Sequence, residues 1–294
     1  MISPTLQIII INYNSTDSLI SCLDSIRANA PASATKLWVW DNNSKDNPGQ
    51  IRHFYPEVDL IENDGNIGFG AAINKGLAQS NTAYVMLLNP DTVLCEGFID
   101  KALEYLSSHP DIGILGPKIT NSDGSLQDSA RAFPNVLTGL FGRTSFLSRI
   151  FPYNRFSKIN LITRQYSAKT VLEPDWVSGA CMVVRREAIL QTGLMDQRFF
   201  MYWEDADWCR RMKKNGWRVV YYPEITVIHS AGHSSDSRPI HSSLEFHKSA
   251  YRLFGKYAKG YKKIFSPLVF GLLAMRFYLH AGIRFLKMWC CGPR

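Results

Sequence analysis

The sequence predicts an α/β protein with a mostly parallel central sheet covered by helices on both faces. Three observations carry that expectation. Short apolar runs alternate with helix-spaced stretches from residue 6 onward, the rhythm of β–α–β units. The run at Tyr84–Leu88 is apolar throughout and that at Leu6–Ile11 is apolar but for Gln7, as strands buried on both faces are. Acidic residues follow such runs or open helices: Asp41 in VWDNNSKD, Asp91 in LLNPD, and Glu204–Asp205 in FFMYWEDADWCRR. A parallel sheet gathers them at one edge, where sheets of this kind hold ligands.

The elements follow in order. Leu6–Ile11 is a strand, and Ser15 to Arg27 places Leu19, Cys22, Leu23 and Ile26 at helical spacing. Leu37–Trp40 is a second strand, ended by the turn-forming Asp-Asn-Asn of residues 41 to 43. A short strand at Asp59–Ile61 precedes Gly68–Gln79, a loop that enters a helix. Tyr84–Leu88 is a strand that Pro90 stops, because proline has no amide to donate. Helix Phe98–Ser107 and strand Ile112–Leu115 continue the alternation. SDGSLQDS reads as a turn or small hairpin within an irregular insertion spanning about 120–172, and Phe133 to Tyr166 shows no period. Trp176–Arg185 is expected as one strand beginning WVSGA, followed by a short helix at Glu187–Gln191. A helix opens at Glu204, and strands cover Trp217–Tyr222 and Thr226–His229. The small polar segment HSSDSRPIHSS, residues 233 to 243, reads as a mobile connection.

Charge divides the chain. Its 294 residues carry 33 Lys and Arg against 25 Asp and Glu, a net charge of +8. Ten of those basic residues, and no acidic one, lie from Lys248 to Arg294, leaving 23 basic and 25 acidic side chains in the other 247 residues. The body is nearly neutral and the tail is basic. An enzyme of nucleic acid carries its positive charge along the working groove, so no nucleic-acid partner is expected. Six cysteines without a CxxC spacing suit a reducing, cytosolic setting. MISPTLQIIIINYN has no basic leader, and its apolar run is too short for a signal-peptide core.

The expected division is a catalytic domain at 1–247 and a basic helical tail at 248–294. Ser266-Pro267 suits a helix start, and the stretch to Trp289 is mostly apolar, interrupted by Arg276, His280, Arg284 and Lys287. At about 100° per residue these four fall within an arc of roughly 80°. One polar stripe on an apolar helix suits the plane of a membrane interface. Lys248, Arg252, Lys256, Lys259, Lys262 and Lys263 would then meet anionic headgroups. Arg276 near the centre argues against a spanning helix.

IIINYNS, VWDNNSKD, NIGFGAAINKG, LLNPD, WVSGACMVVRREA, FFMYWEDADWCRRMKKNGW and VIHSAGHS occur in that order from residue 8 to about 235. The ordered set resembles the family 2 inverting glycosyltransferases of the GT-A fold, and within them the rhamnosyltransferase-like branch. The resemblance implies a metal-dependent transferase that takes its sugar from a nucleotide diphosphate. The expected donor is dTDP-rhamnose and the acceptor a lipid-linked saccharide in cell-surface polysaccharide assembly, O-antigen being the type. A UDP sugar, including UDP-galactofuranose, is the alternative donor. The place of work is the inner face of the plasma membrane, the enzyme being peripheral there through its tail.

The chemistry can also be argued from the residues. A nucleotide diphosphate leaves an anomeric carbon while a hydroxyl attacks from the opposite side. The leaving group gains negative charge, which a divalent cation on its phosphates stabilises. Mg²⁺ or Mn²⁺ prefers oxygen ligands, and Asp91, on a turn after a buried strand, suits that role. By resemblance Asn89-Pro90-Asp91 stands for the family's DxD motif. Asn89 replaces its first acid, which keeps an oxygen but loses a charge. Asp205 is the expected general base and Glu204 its assistant or an orienter of the acceptor. Acids also favour a helix start for electrostatic reasons, which is the role expected of Asp207. His229 ends TVIH, 24 positions after Asp205, and is either a core histidine or a metal ligand. His233 is a weaker candidate.

By resemblance Ile11, Tyr13 and Asn14 border the nucleotide, and Asp41 accepts a ring N–H such as N3–H of uracil or thymine. Asn66, Gly68 and Asn74 fall in the next donor-binding segment, where glycine permits close approach. Gly179 and Ala180 leave room for the donor sugar. Two other classes share parts of this picture. A sugar nucleotidyltransferase would open on a glycine-rich basic loop, and IIIINYNS has neither Gly nor Lys. A catalytically silent scaffold would lack the carboxylates at 41, 91 and 205.

Overall fold

In a computed structural model, residues 5–29, 35–133, 163, 169–230 and 239–291 are described. The first half builds a parallel array from β1 (Leu6–Asn12), β2 (Thr35–Asp41), β3 (Val58–Glu62) and β4 (Tyr84–Leu88), with β1 between β2 and β4. The second half adds β5 (Thr92–Leu94), β6 (Ile112–Thr120), β7 (Leu126–Gln127), β8 (Ala130–Arg131), β9 (Trp176–Val177), β10 (Cys181–Arg185) and β11 (Arg218–His229). The main sheet runs β3-β2-β1-β4-β10-β6-β11-β5, and β7 pairs with β6. Strand β10 lies antiparallel between β4 and β6, β11 is parallel to β6, and β8 pairs with β9 in a small separate ribbon.

The helices are α1 (Thr16–Ala28), α2 (Ile51–Phe54), α3 (Phe69–Gln79), α4 (Phe98–Ser108), α5 (Arg186–Thr192), α6 (Glu204–Lys214), α7 (Pro239–Tyr257) and α8 (Ser266–Cys291). Side chains alternate across a strand, so the apolar runs feed two cores. Ile8, Ile10, Met86 and Leu88 pack with Leu19 and Leu23 of α1 and Phe98 and Leu106 of α4. Ile9, Ile11, Val85 and Leu87 pack on the other face with Ile73 and Leu77 of α3 and Trp208 and Met212 of α6. Burying one such side chain is worth about 1.5–3 kcal/mol. That is why these strands carry no polar alternation.

The structure corrects the expected elements in three places. Trp176–Arg185 is two strands, because Trp176–Val177 leaves the main sheet to pair with Ala130–Arg131. The break at residues 178–180 lies beside α6. Trp217–Tyr222 and Thr226–His229 belong to one strand, Arg218–His229, whose pairing with β6 shifts register between Tyr222 and Thr226. Residues 239 to 243, expected as part of a mobile connection, open helix α7. The expected hairpin at SDGSLQDS is present as the β6–β7 turn, with Gly124 at φ 79°. Most of the insertion at 120–172, and His233, lie outside the described residues.

Helix α7 crosses the expected boundary between residues 247 and 248, and it is fastened to the body. Lys256 lies 2.6 Å from both Asp196 and Asp207, and Tyr257 Oη donates to Asp207 at 2.7 Å. Lys256 therefore faces buried carboxylates rather than headgroups. Helix α8 packs on α7 and turns part of its polar stripe inward: Arg276 lies over the Phe246 ring, and Phe277 meets His247. Its outward face is Leu268, Phe270, Met275, Tyr278, Leu279, Ile283 and Phe285, all exposed. The side chains of Arg284 and Lys287 lie outside the described set. Lys263–Ile283 is long and apolar enough to cross a membrane by length and composition.

Candidate active site

The candidate residues fall into three groups. On the parallel half, Asp41 ends β2 and is buried. Its Oδ1 accepts from Asn12 Nδ2 at 2.8 Å and from Ser44 Oγ, and its Oδ2 accepts from the Ser44 amide at 2.8 Å. A carboxylate offers about four acceptor positions, so one remains. Asn14, at φ 50°, bridges to the same turn: its amide donates to Ser44 Oγ and its Oδ1 accepts from the Lys45 amide, both at 2.8 Å. Tyr13 directly follows β1 and is half-buried, while Ile11 is packed in the core. Asn12 and Ser44 are functional partners that sequence reading missed. Ser44, three residues after Asp41, carried a signal in the Asx-turn pattern DNNS.

Asn66 and Gly68 form the entry to α3, Asn66 Oδ1 accepting from the Gly68 amide at 2.9 Å. Gly68 has φ 87°, and a Cβ there would come within 2.5 Å of the Phe200 carbonyl oxygen. Its smallness serves that close approach. Asn74 departs from expectation. Its Nδ2 donates to the Met195 carbonyl at 2.8 Å and its Oδ1 accepts from the Met195 amide at 2.9 Å. Both ends of a buried amide on one backbone residue make Asn74 a clamp on the segment before α6, not a donor contact.

The second group lies at the end of β4. The Asn89 amide donates to the Ala180 carbonyl at 2.9 Å, which ties NPD to WVSGA. Asp91 Oδ1 and His229 Nε2 are 3.2 Å apart, with side chains 9% and 14% exposed. Gln127 fixes the imidazole: its Nε2 donates to the His229 carbonyl at 2.7 Å, and its Oε1 faces His229 Nδ1 at 3.0 Å. Gln127 Oε1 thus holds the Nδ1 side of the ring and leaves Nε2 facing the Asp91 carboxylate. The pair fits a hard or borderline divalent cation. Among the described residues no cluster of three or more His, Cys, Asp or Glu side chains has the arrangement for a metal ion. A cation here would complete its shell with phosphate oxygens and water. Gln127 was missed because its target lies 102 residues away.

The third group opens α6. Asp205 Oδ2 accepts from the Gly179 amide at 2.9 Å and Oδ1 from the Ala206 amide at 2.8 Å. A Cβ on Gly179 would lie 3.3 Å from Asp205 Cβ, so its smallness makes room for this carboxylate. Burial pushes the Asp205 carboxyl above the usual range, and those backbone amides and then Arg131 oppose the shift. Burial, then the charge of Asp205, pushes Glu204 well above the ordinary range. Glu204 is buried, and its Oε2 has no hydrogen-bond partner among the described residues. Asp207 is fully buried and held by Arg211, Lys256 and Tyr257.

A nucleotide-type α/β sheet with carboxylates at one edge defines a class of ligand-binding enzyme, and comparison with known proteins supplies the family. Residues 4–242 match the model described as "Glycosyltransferase like family 2". The chain belongs to this family and is a glycosyltransferase. It is 35% identical over 259 residues to the N-acetylglucosaminyl-diphospho-decaprenol L-rhamnosyltransferase of Mycobacterium tuberculosis, covering 81% of each chain. It is 29% identical to Rhamnosyltransferase WbbL of Escherichia coli, covering 85% of this chain and 92% of that one. Among solved structures, the mannosyltransferase PcManGT from Pyrobaculum calidifontis, in complex with GDP-Man and Mn²⁺, superposes with a TM-score of 0.59 at 14% identity, covering 95% of this chain and 75% of that one. This structural likeness carries the GT-A fold.

Proposed function

We propose that the protein is an inverting rhamnosyltransferase that moves rhamnose from dTDP-rhamnose onto a lipid-linked saccharide at a membrane surface. The observation that carries the reading is the convergence of Asp41, the Asp91–His229 pair and Asp205 on one sheet edge. The sugar and the lipid-linked acceptor are supported by the names of the mycobacterial and enterobacterial relatives. Asp41 uses its remaining acceptor position for a ring N–H of thymine, and Asn66 and Gly68 line the path of the donor. Asp91 and His229 hold a divalent cation, with Asn89 at the neighbouring turn. When bound, that cation stabilises charge on the departing diphosphate.

The remaining steps belong to the chain's own side chains. Asp205 accepts the proton of the acceptor hydroxyl as its oxygen forms the bond to the anomeric carbon. The bond from that carbon to the diphosphate oxygen breaks, and its electron pair leaves with the nucleotide. A base of raised pKa holds a proton more firmly at the operating pH, which suits a carboxylate facing a weakly acidic hydroxyl. Glu204 orients the acceptor, its free Oε2 being an acceptor without a donor. Gly179 and Ala180 keep the floor beside Asp205 low enough for a sugar.

A panel of nucleotide sugars with a lipid-linked acceptor tests the chemistry. Transfer is expected from dTDP-rhamnose, lost on chelation and restored by Mg²⁺ or Mn²⁺. Transfer from a UDP sugar alone, or undiminished turnover after exhaustive chelation, would overturn the corresponding part. The membrane role rests on α8, whose apolar face is exposed, with exposed Lys259 and Lys263 beside it. The tail from 248 onward is read as the membrane-associating part, although its first turns dock on the body. Replacing Leu279 and Ile283 by Glu should abolish cosedimentation with anionic vesicles. High salt should weaken binding of the parent chain only in part, since salt screens lysines but not an apolar face. Equal binding by both proteins would refute the membrane role.

A further inference from the structure

Helix α7 lies across the turn that leads into Glu204 and Asp205, and it holds each residue of that turn. The His241 ring meets the Phe200 ring edge-on at 6.1 Å. Ser249, fully buried, donates from Oγ to the Met201 carbonyl at 3.0 Å. The Phe246 ring meets Tyr202 at 5.7 Å and Trp203 at 5.4 Å. The Arg276 guanidinium of α8 also stands 5.7 Å from the centre of the Phe246 ring, within cation–π reach.

The turn requires such a hold. Tyr202 and Trp203 have φ of 68° and 70°, two bulky residues in succession in the left-handed region. Backbone of this kind persists only where the surroundings over-determine it. Glu204 and then Asp205 follow, and the Trp203 carbonyl accepts from the Asp207 amide at 2.9 Å in the first turn of α6. Relaxation of Tyr202 and Trp203 would rotate that first turn and draw Asp205 away from the Gly179 amide. The start of the same turn is tied to the donor side, where the Phe69 amide donates to the Phe200 carbonyl at 2.8 Å. Holding residues 200 to 203 therefore fixes Asp205 relative to the donor loop.

We infer that Phe246 is a positioning residue for the transfer reaction, its ring holding the Tyr202–Trp203 turn so that Asp205 faces the reacting hydroxyl. The inference rests on the reading of Asp205 as the base. It gives α7 a part in turnover that is independent of whether α8 meets a membrane. The Phe246 ring acts on Asp205 through its contacts with Tyr202 and Trp203.

The test uses the full chain, with nucleotide diphosphate titrated calorimetrically so that turnover is expressed per binding site. Phe246→Ala should lower kcat per site by about tenfold or more, because small misplacements at the chemistry are costly. Donor KM should stay within about threefold, since donor binding does not use this ring. Phe246→Tyr keeps the ring and should restore kcat to within about twofold. Ser249→Ala removes only the hydroxyl on the Met201 carbonyl and should lower kcat in the same direction. It also serves if Phe246→Ala yields no folded protein. Unchanged kcat per site in whichever of these two variants folds would overturn the inference, as would equal losses in Phe246→Ala and Phe246→Tyr. Full activity of Asp205→Asn would instead remove the base itself, an outcome separate from either.

Discussion

The two halves of the site are held in opposite ways. On the parallel half, Asp41 is buried with donors on both oxygens, supplied by Asn12 one strand away and Ser44 three residues on. On the mixed half, Glu204 is buried beside a half-buried Asp205, and Glu204 Oε2 has no hydrogen-bond partner among the described residues. Their turn is in left-handed backbone and is gripped by a helix from the far end of the chain. Asp41 is held by a hydrogen-bond network that leaves one acceptor position open, whereas Glu204 bears the cost of a buried oxygen that no described residue satisfies. Preorganisation of a reactive carboxylate is what such cost can produce. The difference separates a surface built for recognition from one built for chemistry.

The largest expected effect tests the chemical half. Asp205→Asn preserves shape and removes proton acceptance, so transfer should fall by about 100-fold or more. Nucleotide binding, measured by calorimetry, should be unchanged. A comparable loss of binding would dissolve the distinction between the halves. A smaller effect tests the recognition half. Asp41→Asn would turn an amide donor toward the Ser44 N–H, or leave Asn12 and Ser44 Oγ without their acceptor. Charge-assisted bonds of this kind are worth about 1.5–3 kcal/mol, so donor KM should rise by about tenfold or more. Turnover at saturating donor should fall far less. A fall in kcat with unaltered KM would assign Asp41 to the chemical half instead.

How much of this was legible depends on how far each cause lies along the chain. The strand at Leu6–Asn12 could be read because burial on both faces calls for an apolar run, here Ile8–Ile11, and that demand is written locally. The strand at Arg218–His229 was read as two, Trp217–Tyr222 and Thr226–His229, with Pro223 in the gap. The sheet absorbs it by a register shift, which only the pairing with β6 reveals. Residues 178–180 hold a Ser-Gly pair, a turn signal that the single-strand reading passed over. They leave the sheet because Trp176–Val177 pairs with residues more than forty positions earlier. Asp41, Asp91 and Asp205 were visible as acids beside apolar runs. Gln127, which orients His229, and Phe246, which backs Trp203, were not, because nothing near them in sequence states their targets. Asn74 was misread for the same reason: its amide answers to Met195, 121 residues away.

The smallest expected effect bears on the cost itself. The Glu204 carboxyl titrates well above the ordinary value of 4.5 because it is buried beside Asp205. A folded-state pKa raised above the unfolded one contributes stability that is fully present below about pH 4.5. That contribution is lost as pH rises through the folded value. Near neutrality the folded chain either keeps a proton that the unfolded chain releases or carries a buried charge without a partner. Glutamine is neutral at every pH and nearly the same shape. Glu204→Gln should therefore stabilise the protein near pH 7 by about 1–3 kcal/mol, the scale of one unsatisfied buried group. For a chain of this size that corresponds to about 2–4 °C in Tm per kcal/mol. The gain should shrink as pH falls toward the ordinary carboxylate range, and acceptor KM should rise, because the unpartnered Oε2 is the atom read as meeting the acceptor. Melting temperatures of both proteins from pH 4 to 8 decide it. A Gln variant less stable than the parent at neutral pH, with unaltered acceptor KM, would mean that Glu204 is already satisfied within the fold, and the contrast with Asp41 would fail at its most specific point.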